Sequence, residues 1–252
     1  MPTIMSIEEM RKHEWVVSWS GGKDSTATII LCHKYGIPIK KIIYVRMMYN
    51  EDLPATLPVM VEFVDRAKEV FESWGYPMEI VKGVQTAQDF MNKVYFKSKY
   101  EYKNGNPYGV CAFCRGACKF TGVKTATIKK CSSGAVDYEM IGYASDEEER
   151  LIRLTDKKQS IMVTLGIKEA DTFELCTEYN LLSPLYGRGF GRDGCWFCPN
   201  AAKAERAYLV KNHPELIREI VYMIEMCGYD VSTLSYRNHW VEDYYKGKLK
   251  VK

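Results

Sequence analysis

An apolar run, Trp15-Val16-Val17-Ser18-Trp19, leads straight into Ser20-Gly21-Gly22-Lys23-Asp24-Ser25, and Ala27, Ile30 and Leu31 follow at helical spacing. No other stretch constrains the fold as strongly. The periodicity predicts a buried strand and then a helix with one apolar face, and the glycine pair lets the backbone turn sharply between them. Strand, glycine turn and helix together build an anion site, because bare N–H groups line the turn and the helix N-terminus adds partial positive charge. Ser18, near the end of the strand, joins Ser20–Ser25 as a candidate nucleotide-binding residue. Ser20 and Ser25 contribute hydroxyls, Lys23 a full charge, and Asp24 or Ser25 a candidate helix cap. The expected guest is a polyphosphate. The plainer alternative, a turn that merely joins strand to helix, leaves the lysine, the aspartate and both serines without a reason. This is not the common P-loop, which needs a glycine where Val17 stands and Ser or Thr where Asp24 stands.

Further along, apolar strands alternate with amphipathic helices. Lys40–Met48 reads as a second strand. Leu57, Val61, Val64, Ala67, Phe71 and Trp74 recur at helical spacing. Met78–Val81 reads as a short third strand, a helix is expected from about Thr86 to Phe96, and Tyr138–Ala144 reads as a further strand. This order predicts an α/β fold, a Rossmann-like parallel sheet with helices on both faces. Ligands of such sheets bind at the carboxyl ends of the strands, where Ser20–Ser25 falls. Past residue 185 the texture changes. Gly187, Gly189, Gly191 and Gly194 crowd together, Cys195 and Cys198 follow, and then two helices, with Pro214 in the first turn of the last. Residues 1–185 therefore read as a nucleotide-binding domain and residues 186–252 as a C-terminal helical appendage carrying a cysteine motif.

The bulk properties exclude some classes. Hydrophobic content of 46% and charged content of 27% describe an ordinary globular chain. No apolar run is long enough to span a membrane, and Met1 to Glu14 has no apolar signal core, so a cytoplasmic protein without a membrane partner is expected. A net charge of +3 does not by itself argue for a nucleic-acid partner. The basic end at Lys246, Lys248, Lys250 and Lys252 reads as a solvated terminus.

Nine cysteines need a reason in a chain expected to stay reduced. Cys32 and Cys227 read as core filler. Cys111-Ala-Phe-Cys114, with Cys118 one helical turn further on, and Cys195-Trp-Phe-Cys198 form two CxxC pairs, a strong metal signal. Five cysteines compete for four places. Zinc and a [4Fe–4S] cluster both accept four thiolates, and Phe113, Trp196 and Phe197, which would shield a cluster from water, lean toward iron–sulfur. Unrelated buried thiols and a redox dithiol are the competing explanations. His13, His33, His213 and His239 are scattered and form no set.

Ser20–Ser25 resembles the PP-loop of the ATP pyrophosphatase superfamily, the adenine nucleotide alpha hydrolase-like fold. Three further segments resemble its phosphoadenosine-phosphosulfate (PAPS) reductase-like branch. These are Cys114-Arg-Gly-Ala-Cys118-Lys119, Ile141-Gly142-Tyr143-Ala144-Ser145-Asp146-Glu147-Glu148-Glu149-Arg150, and Ser183-Pro184-Leu185-Tyr186 with Gly194-Cys195-Trp196-Phe197-Cys198-Pro199. The resemblance spans roughly residues 15 to 200. It implies cleavage of ATP to AMP and pyrophosphate, with AMP passed to an oxygen of the substrate. Two departures point away from sulfonucleotide reductases: Ala144 stands where the branch has an arginine, and no cysteine follows Cys227. The intact Gly-Gly-Lys-Asp-Ser loop is instead similar to members that use ATP, including tRNA thiolases and DNA phosphorothioation enzymes, several of which carry an iron–sulfur cluster.

The resemblance implies an ATP-dependent adenylating enzyme that prepares a nucleic acid or small molecule for sulfur transfer. Mg·ATP would sit on Ser20–Ser25. Lys23 would neutralise the leaving pyrophosphate, and Asp24 would position Mg²⁺ or cap the helix. Adenine would lie near the backbone of Val45, Arg46 and Met47, with Gly142 close to the nucleotide. Lys119, Asp146, Glu147 and Arg150 are candidates for the substrate side, against the reading of a solvated helix start, which Glu148 and Glu149 favour. The cysteine centre would carry or relay sulfur from a donor such as a cysteine desulfurase, and a homodimer is open. The alternatives are a PAPS or APS reductase and a non-catalytic nucleotide-binding subunit of a larger complex.

Overall fold

The strand at the loop is the middle of the sheet. In the computed structural model, which describes residues 4–91, 120–132, 138–191, 193–198, 201–226, 241, 244, 246 and 247, β1 (Trp15–Trp19) is flanked by β2 (Ile39–Arg46) and β4 (Tyr138–Met140). β3 (Met78–Lys82) and β5 (Lys158–Gln159) take the edges, in the order β3-β2-β1-β4-β5. The β1–β2, β1–β4 and β4–β5 pairs run parallel, with Trp19 opposite Tyr44 and Val17 opposite Met140. Trp15, Val16, Val17 and Trp19 are all buried, as a central strand covered on two faces requires. The chain builds one side of the sheet from β1 through β3 and then returns to β4 on the other side. The order therefore reverses between β1 and β4, and the Ser20–Ser25 loop lies at that switch point. This is the α/β, Rossmann-like fold expected from the alternation of strands and helices.

The helices follow from the same patterning. α1 (Ile7–Met10) is capped by Ser6, whose hydroxyl accepts from the Glu9 N–H. α2 (Lys23–Tyr35) buries Ala27, Ile29, Ile30, Leu31 and Cys32, and ends at Gly36, whose φ of 64° is the left-handed conformation that glycine adopts without strain. α3 (Pro58–Ser73) buries Val64, Ala67 and Phe71 of the predicted apolar face, with Met60 and Phe63 beside them, while Val61 and Trp74 are only half-buried. Trp19, Tyr44, Phe63 and Phe71 form an aromatic cluster beneath the loop, with Trp19 ring centroids 5.4 to 5.9 Å from the other three. α4 (Ala87–Met91) is opened by Thr86, whose hydroxyl accepts from Asp89 N–H and donates to its carboxylate. α5 (Thr121–Ser132), α6 (Glu148–Leu151), α7 (Ile161–Leu165) and α8 (Asp171–Glu178) follow. A short 3₁₀ turn at Tyr186–Arg188 leads to α9 (Lys203–Asn212) and α10 (Pro214–Met226), which starts at Pro214 as expected.

Two expected strands are shorter than their apolar runs. β2 stops at Arg46, because the Met47 carbonyl accepts from Ala55 N–H at 2.8 Å and Met48 bridges Pro54 instead. β4 stops at Met140; Ile141 still donates to the Gln159 carbonyl, and the chain then leaves the sheet at Gly142. Residues 92–96 of the expected helix, and Cys227, lie outside the described residues. No described helix is long and apolar enough to cross a membrane.

The chain divides into two compact units. One comprises Met1–Val45, Pro58–Lys82 and Thr127–Tyr186; the other comprises Arg46–Leu57, Gly83–Ala126 and Gly187–Lys252. The first holds the sheet core and the Ser20–Ser25 loop. The second holds the Cys195–Cys198 turn and packs α9 against α10.

Candidate functional site

The loop is closed by its own hydroxyls. Ser20 N–H donates to Ser25 Oγ at 3.2 Å, the two hydroxyls lie 3.0 Å apart, and Ser20 Oγ accepts from Gly22 N–H at 3.3 Å. Ser25 in turn donates to the Gly22 carbonyl at 3.1 Å. Gly21 has φ of +81°, which a side chain would make costly. Gly22 is the N-cap of α2 and offers no side chain, so neither Asp24 nor Ser25 caps this helix, contrary to expectation. Asp24 is the second helical residue, and its carboxylate is drawn sideways to Lys23 and Thr172. The strand's Trp19 indole donates to Thr26 Oγ1 at 2.9 Å, fixing α2 on β1.

Lys23 is 7% exposed, and its ammonium lies 2.6 Å from Asp24 Oδ1 and 2.8 Å from Glu169 Oε1. Burial works against the charge, but the two carboxylates outweigh it and hold its pKa above the ordinary lysine value. The Phe173 ring centroid lies 5.4 Å from the same ammonium. Lys23 N–H donates to the Tyr186 hydroxyl at 3.4 Å, and the buried Cys176 thiol donates to the Lys23 carbonyl at 3.3 Å. Burial pushes the Tyr186 phenol and the Cys176 thiol upward, the latter to about 12, so both stay protonated at neutral pH. Glu169, Thr172, Phe173, Cys176 and Tyr186 are the residues that sequence reasoning gave no role at the loop.

The segment after β4 packs on the loop from the other side of the switch point. A Cβ on Gly142 would lie 2.9 Å from Ser25 N and 3.0 Å from Asp24 C and O, so only glycine fits there. Asp146 Oδ1 accepts from Glu169 N–H at 3.0 Å. Glu147 accepts from Ala144 N–H at 3.1 Å and pairs with Arg150 at 2.8 Å at the start of α6. Glu148 and Glu149 are exposed. Ser18 is half-buried in β1. Val45 and Arg46 end β2 and Met47 follows; the side chains of Val45 and Met47 are buried, and the Arg46 carbonyl accepts from Gly83 N–H at 3.1 Å. Lys119, Cys111, Cys114 and Cys118 lie outside the described residues.

In the second unit, Cys195 and Cys198 share one tight turn, with Cys198 N–H donating to the Cys195 carbonyl at 2.9 Å. Both are half-buried, and neither is in a disulfide. Trp196 anchors the turn: its backbone N–H donates to the Ala55 carbonyl at 2.9 Å, and its indole to the Pro54 carbonyl at 2.8 Å. Tyr49 packs on both Trp196 and Phe197, and Phe120 on Phe197. Burial lowers the Lys124 pKa, while nearby Asp193 and Cys195 favour its charge; burial pushes the Asp193 carboxyl up to about 6. Two thiols on one aromatic-shielded turn, beside a lysine, suit the donor side of a four-thiolate centre. Among the described residues no three metal-ligating side chains converge.

The model of the tRNA methyl transferase HUP domain family matches residues 13–165, which holds β1, the glycine loop and all the strands of the sheet. The chain belongs to this family. Membership agrees with the PP-loop superfamily read from Ser20–Ser25 and does not single out the PAPS reductase-like branch. An uncharacterised protein of Methanocaldococcus jannaschii is 25% identical over 220 residues, covering 84% of this chain and 48% of that protein. The chain thus spans about half the length of this relative. Among solved structures, the chain is similar to a U34-tRNA thiolase from Methanococcus maripaludis with its [4Fe–4S] cluster, at 17% identity and a TM-score of 0.42, covering 89% of this chain and 77% of that one.

Proposed function

We propose that the chain is a PP-loop ATP pyrophosphatase that adenylates an oxygen of a tRNA and so prepares that position for incoming sulfur. The observation that carries the nucleotide part is the buried Lys23 ammonium at a glycine turn on the N-terminus of α2. When the bond between the α- and β-phosphates breaks, AMP stays on the acceptor oxygen and negative charge grows on pyrophosphate. A fixed cation and helix-end amides at that position stabilise such charge with little reorganisation. Asp24, freed from capping, is the candidate to position Mg²⁺. Gly142, which abuts the loop at Ser25 and Asp24, is the candidate beside the nucleotide, and Asp146 the candidate on the acceptor side. The tRNA part is drawn from the family's description, and the PAPS reductase-like branch from the three segments that resemble it, Cys114–Lys119, Ile141–Arg150 and Ser183–Tyr186 with Gly194–Pro199. The sulfur donor, a dimeric state and a cytoplasmic location belong to the same proposal.

Cys195 and Cys198, completed by two of Cys111, Cys114 and Cys118, would hold a [4Fe–4S] cluster or zinc. When bound, a cluster there would supply a thiolate-ligated iron centre able to bind sulfur. Cys195→Ser and Cys198→Ser are each expected to lose metal and to lower thermal stability, because a four-thiolate centre contributes to folding. Elemental analysis and anaerobic absorption check this; full metal occupancy in both variants refutes the site.

The test of function is an assay with Mg·ATP and unmodified tRNA, reading AMP and pyrophosphate. Equimolar AMP and pyrophosphate, formed faster with tRNA present, are expected. Absence of pyrophosphate under all these conditions sinks the reading, and thioredoxin-dependent sulfite release from a sulfonucleotide moves the chain to the reductases.

A further inference from the structure

One ammonium here faces two carboxylates, and the two are not equivalent. Asp24 belongs to α2, and its Oδ1 also lies 3.1 Å from the Thr172 hydroxyl, so its place is set by two elements. Glu169 reaches Lys23 from outside. Its side chain is 56% exposed, yet its backbone is pinned: Glu169 N–H donates to Asp146 Oδ1 at 3.0 Å, and its carbonyl lies 2.7 Å from the Thr172 hydroxyl. The carboxylate can therefore swing into water while the segment that carries it stays put. Lys23 cannot follow, because its side chain is 8% exposed.

This arrangement disfavours bare anions. A metal-free triphosphate approaching Lys23 meets a cation already over-matched by negative charge, and it must displace Glu169 or suffer its repulsion. A divalent cation travelling with the phosphates cancels that repulsion and gives the displaced carboxylate a favourable neighbour.

We propose that Glu169 is an electrostatic latch on Lys23 that makes the loop discriminate for metal-complexed triphosphate against metal-free nucleotide. The inference rests on the reading of Ser20–Ser25 as a triphosphate site and adds a residue that sets the site's selectivity. It predicts a change in a ratio of affinities, which loss of structure does not mimic.

The test is calorimetric binding of a non-hydrolysable ATP analogue to the full chain at low ionic strength, once with excess Mg²⁺ and once with a chelator. Wild type, Glu169→Gln and Glu169→Asp are compared. Glu169→Gln is expected to bind the metal-free analogue about fivefold more tightly and the Mg²⁺ form within about twofold of wild type; the effect is modest because an exposed carboxylate is screened. Glu169→Asp, which keeps the charge, is expected to hold the wild-type ratio to within about twofold. An unchanged ratio in Glu169→Gln, with wild type binding nucleotide, overturns the latch and leaves the ATP reading standing. Loss of Mg²⁺-analogue affinity in Glu169→Gln also overturns it, since Glu169 would then be a ligand. If wild type binds neither form, the ATP reading fails and the latch with it.

Discussion

Lys23→Ala is expected to abolish pyrophosphate release while the chain stays folded. The ammonium is the cation that the loop's own sequence places at the helix start, and the structure holds it between Asp24 and Glu169 with little access to water. Loss of one pre-oriented donor to a developing oxyanion costs about 10²–10³ in turnover. Here the lost group is a full charge in a shielded position, so the upper end of that range is expected. Glu169 needs no partner, because its carboxylate is mostly in water; Asp24 keeps Thr172. The fold should survive for that reason, with a loss of about 1 kcal/mol from the buried lysine stem. Turnover is measured as pyrophosphate per mole of enzyme, and folding by thermal melting. A variant that melts like wild type and still releases pyrophosphate at the wild-type rate refutes the site. Lys23→Arg, which keeps the charge, should recover part of the rate; that separates loss of charge from loss of shape.

The loop was legible in the sequence because its chemistry is contiguous: Ser20 to Ser25 supply the turn, the hydroxyls and the cation from adjacent positions. Its surroundings were not. Glu169 lies 146 residues from Lys23 along the chain, and Tyr186 lies 163 residues away. They arrive only because α8 packs on α2 and the chain returns past the loop at the 3₁₀ turn. Neither carries a spacing that marks it; a glutamate just before a short helix reads as a first-turn charge and nothing more. The helix cap falls to Gly22 rather than Asp24 or Ser25 for a related reason. The rule for N-caps ranks side chains, yet the glycine that makes the turn occupies the cap itself, and this moves the aspartate two places into the helix. The strands end short of their apolar runs because such runs do not register where the backbone must leave the sheet. At β4 that departure is enforced by Gly142 meeting the loop, a close approach that no hydrophobicity pattern records. For the cysteines, spacing alone identified Cys195 and Cys198 as a turn pair, and the structure adds the Trp196 anchor that holds the turn to Pro54 and Ala55.

Gly142→Ala is expected to damage both stability and nucleotide binding, although it adds a single methyl group. The new carbon would stand 2.9 Å from Ser25 N and 3.0 Å from Asp24 C and O. These are backbone atoms in the first turn of α2, not the far ends of flexible side chains. They cannot step aside without moving the amides of the loop or pushing β4 away from β1. Overpacking of this kind costs about 1–3 kcal/mol, which in a chain of this size lowers the melting temperature by about 3 °C for each kcal/mol. Displacement of the helix start also misaligns the donors that would face a phosphate, so affinity for the ATP analogue should fall about tenfold or more, given how steeply hydrogen bonds weaken with misalignment. Gly122→Ala supplies the contrast. Gly122 lies in the first turn of α5 with nothing within 4 Å of an added Cβ. Alanine there should leave stability unchanged or raise it by about 0.5–1 kcal/mol through helix propensity and reduced freedom of the unfolded chain. The two variants are chemically identical changes, so only the neighbours differ. Equal melting temperatures, or a Gly142→Ala chain that binds nucleotide as wild type does, would show that β4 and the loop are not in the contact on which the site is built.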